Sequence, residues 1–471
     1  MEVFRNRALT LKFRFLIALA LIFNPAFSAW AQEDKKTDDD RPADPDTGES
    51  TVDETTLGVL PNPFDKNGVK FAATYIGEVL GNPSGGLQQG AIYAGRLNLA
   101  IDADLQKLMG WQQLTFHANM FQIHGGGLSR DNLQNFTVVS GIEALPSTRL
   151  YEIWFEQRWG HDQVSLKAGQ LAADSEFFVT QYTSAFTNAS LGWPAIFGIN
   201  MPSGGPSPPL AALGARLRVN VTDNLTVLGA VFNGDPAGPG LDDPQLRNRT
   251  GTNFRINDSA LVFGEVQYAW NNKKGDPRLS GALKLGFWHH FGHFPDDHFA
   301  VNGNTLADAS NGVPADLTGN YGLYGVLEQE LYHVPGSDDR GVGIFARAST
   351  SPSDRNLIDL YADAGVQVTG LSEQRPHDRL GVAVGYARVS SRARELDADF
   401  RALNSTDWPI RSSEKLLTAV YQYELRSGWT LQPNFQYIVR PGGGATNPLG
   451  NNPGVRLRDA AVFGLRTTVK F

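Results

Sequence analysis

The chain of 471 residues contains no cysteine. A disulfide framework and a cysteine-based metal site are therefore excluded, and an exported chain of this kind must draw its stability from elsewhere. Beyond residue 31 no segment approaches the ~20 apolar residues of a spanning helix, and the mean hydropathy is negative. Neither absence excludes a membrane, because a barrel hides its apolar face in alternate positions and averages out as polar. A basic excess is missing too. The formal charge is −8, and −11 once one acidic and four basic residues of the leader are removed, so no nucleic-acid footprint is present. Walker motif, dinucleotide fingerprint and Gly-x-Ser-x-Gly elbow are absent. The expectation is no cofactor, no metal and no enzyme. Transport, if any, is passive, since there is no nucleotide site and no helical transporter domain.

What is present begins with a leader. Arg5, Arg7, Lys12 and Arg14 precede an apolar run over 15–27, and Ala29-Trp30-Ala31 places small residues where a signal peptidase needs them. This pattern predicts a signal peptide over 1–31, cleaved after Ala31. Residues 32–58 are acidic and polar without apolar periodicity. A flexible acidic segment over 32–67 is expected, solvated rather than cation-binding.

From 68 to 471 the chain alternates with period two. Sixteen segments carry the pattern: 68–80, 89–104, 112–124, 149–158, 163–171, 211–221, 224–233, 259–270, 281–290, 320–331, 341–349, 359–370, 379–390, 412–425, 429–440 and 460–471. Opposite faces of a strand take alternate residues. In the last segment Val469, Thr467, Leu465, Phe463 and Ala461 oppose Lys470, Thr468, Arg466, Gly464 and Val462. In 149–158, Tyr151, Ile153 and Phe155 oppose Glu152, Trp154, Glu156 and Arg158. Each segment is near the ~9–11 residues of a tilted membrane strand, and an even count suits a closed antiparallel barrel.

The connections sort by length. Those expected in the periplasm are short (105–111, 159–162, 222–223, 271–280, 332–340, 371–378, 426–428). Most others are long (125–148, 172–210, 234–258, 291–319, 391–411, 441–459), with 81–88 and 350–358 as shorter exceptions. Short turns on one side and long loops on the other mark an outer-membrane barrel. Trp111, Trp159, Trp270 and Trp429 fall at short-turn ends, joined by Phe471, as an aromatic girdle would. The fold class read here is all-β: a 16-stranded antiparallel transmembrane β-barrel with long extracellular loops and short periplasmic turns, over 68–471, in a Gram-negative outer membrane.

A barrel of this size encloses water, so function depends on what narrows it. The longest loop, 172–210, holds Phe177, Phe178, Tyr182, Phe186, Trp193 and Phe197. Such apolar content predicts inward folding. Here Tyr151-Glu152-Ile153-Trp154-Phe155-Glu156-Gln157, Ser165-Leu166-Lys167-Ala168-Gly169-Gln170, Gly192-Trp193-Pro194, Pro202 and Leu213-Gly214-Ala215-Arg216-Leu217 resemble the OprB-type carbohydrate-selective porins. The resemblance implies a sixteen-stranded channel passing glucose and other saccharides by diffusion, narrowed by inward loops.

Residue chemistry fits that implication. Neutral sugars want planar donors and acceptors for hydroxyls and aromatic rings for C–H faces. Lumen-phase candidates are Arg96, Glu152, Trp154, Glu156, Arg158, Lys167, Arg216, Arg218, Glu265, Glu328, Glu330, Arg347, Arg388 and Arg466, with Trp193 from the loop. The first choice is Glu152, Trp154, Glu156, Lys167, Arg216 and Arg218, beside the long loop. The bland alternative is that these charges pair and brace the wall. A general or anion-preferring porin is the competing reading, favoured by a ring of one sign. A barrel enzyme and a soluble glycosidase are weaker. On one strand Glu152 and Glu156 would stand roughly 13 Å apart at ~3.3 Å per residue, beyond the ~5–9.5 Å of paired catalytic carboxylates. The run His289-His290 to His293 and His298 is read as polar extracellular loop rather than a metal site. Expected partners are outer-membrane lipids and small neutral saccharides, and the assembly a homo-trimer or a monomer.

Overall fold

The computed structural model describes residues 56–471, apart from 274, 311, 338, 371, 404–406 and 450–454. The expected leader, and the acidic segment up to residue 55, lie outside the described residues. Sixteen strands follow: β1 (Val69–Gly86), β2 (Gly90–Asp104), β3 (Leu114–Gly125), β4 (Ser147–Trp159), β5 (Val164–Leu171), β6 (Ala212–Thr222), β7 (Leu225–Asn233), β8 (Ala260–Trp270), β9 (Gly281–Ala300), β10 (Pro314–His333), β11 (Gly341–Thr350), β12 (Ile358–Thr369), β13 (Arg379–Val389), β14 (Ser413–Arg426), β15 (Trp429–Val439) and β16 (Arg458–Lys470). Each pairs antiparallel with its sequence neighbours. β1 closes onto β16 in register from Thr74↔Lys470 to Gly81↔Phe463. Closure leaves no sheet edge, so the strand backbones are hydrogen-bonded all round the barrel, as lipid requires.

Alternation sets the two faces. On β9, Leu283, Leu285 and Phe287 are exposed on the outside, while Trp288 and His290 are buried within. On β16, Phe463 and Leu465 point out, and Arg466 ion-pairs with Glu78 inside. Trp111, Trp159 and Trp429 are exposed at the short-turn ends, where amphipathic rings prefer the interface. One of the two tightest of these turns, Ser427-Gly428, places Gly428 at φ 76°, a conformation cheap only for glycine.

Four local expectations are corrected. First, β9 and β10 run on past the predicted ends and pair as far as Pro314↔Ala300, so most of 291–319 is hairpin rather than loop. Pro295 sits in β9, and register shifts accompany it, which is how a proline-bearing edge is accommodated. Second, β1 continues to Gly86, replacing the expected loop 81–88. Third, Tyr151 turns inward. Asn119 pairs with Glu152 while the adjacent Met120 pairs with Leu150, leaving Tyr151 as the extra residue of a bulge. A bulge shifts the phase of one strand and re-aims its side chains. Fourth, Arg388 has the phase of the exposed Leu380, Val382 and Val384 and ion-pairs with Asp359 at 2.7 Å. It belongs to the outer face, not to the lumen.

Candidate functional site

The interior is narrowed by two connections. The first, between β5 and β6, crosses the lumen and is fastened on several sides. The Phe178 amide donates to Glu265 Oε2 at 3.0 Å and the Gln181 amide to Glu328 Oε2 at 3.1 Å. Arg347 donates to the carbonyls of Phe178 (3.0 Å) and Ser190 (3.2 Å) while paired with Asp363 at 2.7 Å. Asn188 reaches Gln436 at 2.8 Å, and Gln432 donates to the Ala185 carbonyl. Irregular backbone inside a barrel needs such partners, because every buried amide and carbonyl must be satisfied. Apolar contacts complete the seal. Phe177, Phe178 and Phe197 are fully buried against Phe263, Trp288 and Tyr324 of the wall.

A second connection, between β3 and β4, also folds inward. The Phe136 and Thr137 amides donate to Glu414 at 2.8 and 2.7 Å, and Ser140 bonds to Glu78. This segment pairs with the first: Gly141 donates to the Thr187 carbonyl and Ala189 to the Val138 carbonyl, both at 2.9 Å. Sequence reasoning did not anticipate it. Its signal was the scattered apolar set Leu128, Leu133, Val139 and Ile142, now buried.

The predicted site residues fall into two groups. Glu156, Lys167, Arg216 and the loop residue Glu176 form one buried network: Arg216 to Glu156 and to Glu176 at 2.9 Å, Lys167 to Glu176 at 2.8 Å. Arg158 adds a 3.0 Å contact to Glu156. Lys167 also lies 4.4 Å above the ring of Trp154, whose other neighbour is His117, stacked at 4.9 Å. Glu152 accepts from the Ala172 amide at 2.9 Å. Trp193 packs against Phe197 and donates to the Gly204 carbonyl at 2.9 Å. Nine of the fifteen candidates (Glu152, Trp154, Glu156, Lys167, Trp193, Arg216, Glu265, Glu328 and Arg347) therefore hold wall and loop together. Arg218 stays partly exposed, its charge acting on Glu156.

The other group stands apart from this network, on β2 to β4 and β16. Arg96 stands 4.6 Å over the Phe121 ring. Phe121 stacks on Tyr151 at 4.4 Å, and the Tyr151 hydroxyl lies 3.5 Å from Asp174. Arg96 lies within electrostatic reach of Arg466, Glu78, Tyr151 and Asp174. Arg466 is fixed by Glu78 and lies within 3.5 Å of the Thr187 carbonyl. Arg96, Asp174 and Arg466 are each partly exposed, unlike the bracing charges. The Arg96 Nε makes no hydrogen bond. Phe121, Tyr151 and Asp174 were not among the expected residues. The bulge hid Tyr151, and nothing local marks Asp174.

This eyelet offers the partly exposed guanidinium forks of Arg96 and Arg466 and the Asp174 carboxyl, while Phe121 and Tyr151 are buried and Glu78 is engaged by Arg466 and Ser140. Forked donors and a carboxylate acceptor suit vicinal hydroxyls. Both signs are present, unlike the single-sign ring of an ion-selective pore. Among the described residues no cluster of His, Asp or Glu could hold a metal. The extracellular histidines are dispersed: His290 contacts the Gly234 carbonyl, His293 pairs with Asp316 and His298 with Asp399.

The barrel and its narrowing can be compared with known proteins. The family model described as carbohydrate-selective porin, OprB family, matches residues 88–471. Porin B of Pseudomonas aeruginosa is 23% identical over 407 residues, covering 80% of this chain and 84% of that protein. The putative porin QuiX of Acinetobacter baylyi is 21% identical over 399 residues, covering 81% and 86%. The high-pH structure of Pseudomonas putida OprB superposes with a TM-score of 0.75 at 23% identity, over 87% of this chain and 95% of that one. With a family match that spans fifteen complete strands and both inward connections, the chain belongs to the OprB family of carbohydrate-selective porins of the outer membrane.

Proposed function

We propose that this porin passes neutral mono- and oligosaccharides by passive diffusion, and that Arg96, Arg466 and Asp174 select them, positioned by the buried Phe121–Tyr151 pair. The single observation behind the assignment is the ladder from the Arg96 guanidinium over Phe121, to Tyr151, to Asp174. It sets a donor and an acceptor at the two ends of a buried aromatic pair. The function calls for no turnover chemistry and no cofactor. Binding at the eyelet is weak, because a site that holds its solute tightly stops conduction. One chain closes its own barrel, so a monomer suffices for a channel, and a homo-trimer would multiply pores. The leader over 1–31 would direct export, leaving 32–67 ahead of the barrel.

Conductance of the purified protein in a planar bilayer, titrated with glucose, maltose and phosphate, tests this reading. Millimolar sugar should block stepwise channels, and phosphate should not. A second reading, an anion-preferring porin, has one observation in its favour: Arg96 and Arg466 face each other electrostatically. Block by phosphate without block by sugar would select it.

A further inference from the structure

The outer wall is not uniformly convex. Where β10, β11 and β12 meet, the lipid-facing positions are Gly325, Ala346, Ala348, Ala362 and Ala364, all in neighbouring register. Bulky side chains rise on either side, Leu283 and Leu327 at one rim, Val384 and Tyr386 at the other. The result is an open cavity of about 740 Å³ on the wall. Its length across the strands, from β10 to β14, is roughly 19 Å at ~4.8 Å per strand step.

One end of this groove is charged. Lys415 lines it beside Tyr386, its partner in register. Lys415 lies two residues from the extracellular end of β14, and it shares its outward phase with Leu417, Tyr421 and Tyr423. Among the described residues its ammonium has neither a hydrogen-bond nor an ion-pair partner. The nearby Arg388 already has Asp359. A lipid-facing cation is costly unless an anion or the headgroup layer meets it.

We infer that this groove is a specific binding site for the phosphorylated, multiply acylated glycolipid of the outer leaflet. One acyl chain lies along the alanine floor, and a phosphate meets Lys415 and the Tyr386 hydroxyl. The position of Lys415 near the extracellular strand ends places the headgroup in the outer leaflet. A second copy of the chain fits less well. Docked symmetrically it would bring Lys415 against the same floor, which carries no unpaired carboxylate.

The test is native mass spectrometry of the full chain, purified in mild detergent and offered diphosphorylated lipid A. One lipid A should stay bound per chain. Lys415→Gln should lower the bound fraction at least fivefold, and so should the groove-filling pair Ala348→Leu with Ala362→Leu. Single-channel conductance of both variants should match the wild type, which confirms that they fold. Unchanged retention in either variant overturns the site. So does equal binding of dephosphorylated lipid A or of phosphatidylglycerol. A dimer mass that the groove-filling pair abolishes would overturn it in favour of a second copy.

Discussion

At the scale of single residues, the lumen separates charges that brace from charges that wait. Arg347 is the clearest brace. It is fully buried, paired with the equally buried Asp363, and it holds two loop carbonyls. Arg347→Ala strands Asp363 in a dry site, which costs about 3–5 kcal/mol when one partner of a buried pair is removed. Urea unfolding of the refolded protein should show that loss. The combined change Arg347→Met and Asp363→Leu should restore most of it, since apolar pairs of similar volume replace buried ion pairs with little penalty. Arg96 is the opposite case. Its guanidinium sits over the Phe121 ring, and the side chain stays partly exposed. A hydrogen bond from a charged donor contributes ~1.5–3 kcal/mol, so Arg96→Ala should weaken sugar block about tenfold or more while leaving the barrel intact. An unchanged block constant would remove Arg96 from the selecting group.

At the scale of elements, the β3–β4 connection depends on one carboxylate. Glu414 takes the Phe136, Thr137 and Gly442 amides at 2.7–2.8 Å, with the Thr137 hydroxyl at 2.5 Å. Glu414→Ala should release the connection, raise conductance and add flicker; a quiet channel of unchanged size would show that the Thr187–Gly141 and Ala189–Val138 bonds suffice. On the extracellular side the helix Ser391–Leu403 is tied to the β9–β10 hairpin through His298 and Asp399 at 2.7 Å. The hydrogen bond from His298 holds the Asp399 carboxyl below its ordinary value. A lowered carboxyl stabilises above its unfolded value of ~3.9 and loses that contribution as pH falls through the lowered one. Hydrogen exchange of this helix, corrected for intrinsic rates, should therefore show loss of protection only below about pH 4. These elements differ in how far the sequence revealed them. All sixteen strands were legible because lipid on one face and water on the other enforce strict alternation. The aromatic content of the β5–β6 connection announced its inward course. The β3–β4 connection gave no such signal, since its few apolar residues have no period. The bulge at Tyr151 was illegible for another reason: its phase is set by the partner residues Asn119 and Met120, not by β4 itself. The expected charges on β4 to β6 were correctly placed on the inner face. Which of them are buried under the loop depends on Glu176 and Ala172, residues of the loop itself.

At the scale of the whole molecule, the channel is not a coaxial tube. The β5–β6 connection packs its aromatic residues against β8 to β12, while Arg96, Phe121 and Tyr151 sit on β2 to β4 and Arg466 on β16. The proposed selecting groups therefore stand on the β16–β4 side, away from the aromatic packing of the β5–β6 connection. A sixteen-stranded wall without the two inward connections would leave a wide aqueous channel. The barrel does not need them to close, because strand pairing from β1 to β16 is continuous. Replacing residues 177–198 by a short Gly-Ser linker should thus give a folded barrel with severalfold higher conductance. Its sugar block should be abolished even though Arg96, Phe121 and Tyr151 are untouched, because Asp174 and Thr187 would no longer hold the opposite boundary. Stability should fall as well, since Phe263, Trp288 and Tyr324 would exchange aromatic partners for water, at ~25 cal/mol per Å² exposed. If the shortened protein conducted and blocked like the wild type, the passage would lie elsewhere in the lumen. If it failed to insert, the Arg347→Ala variant, which releases the Phe178 and Ser190 carbonyls without deleting the loop, would carry the same comparison.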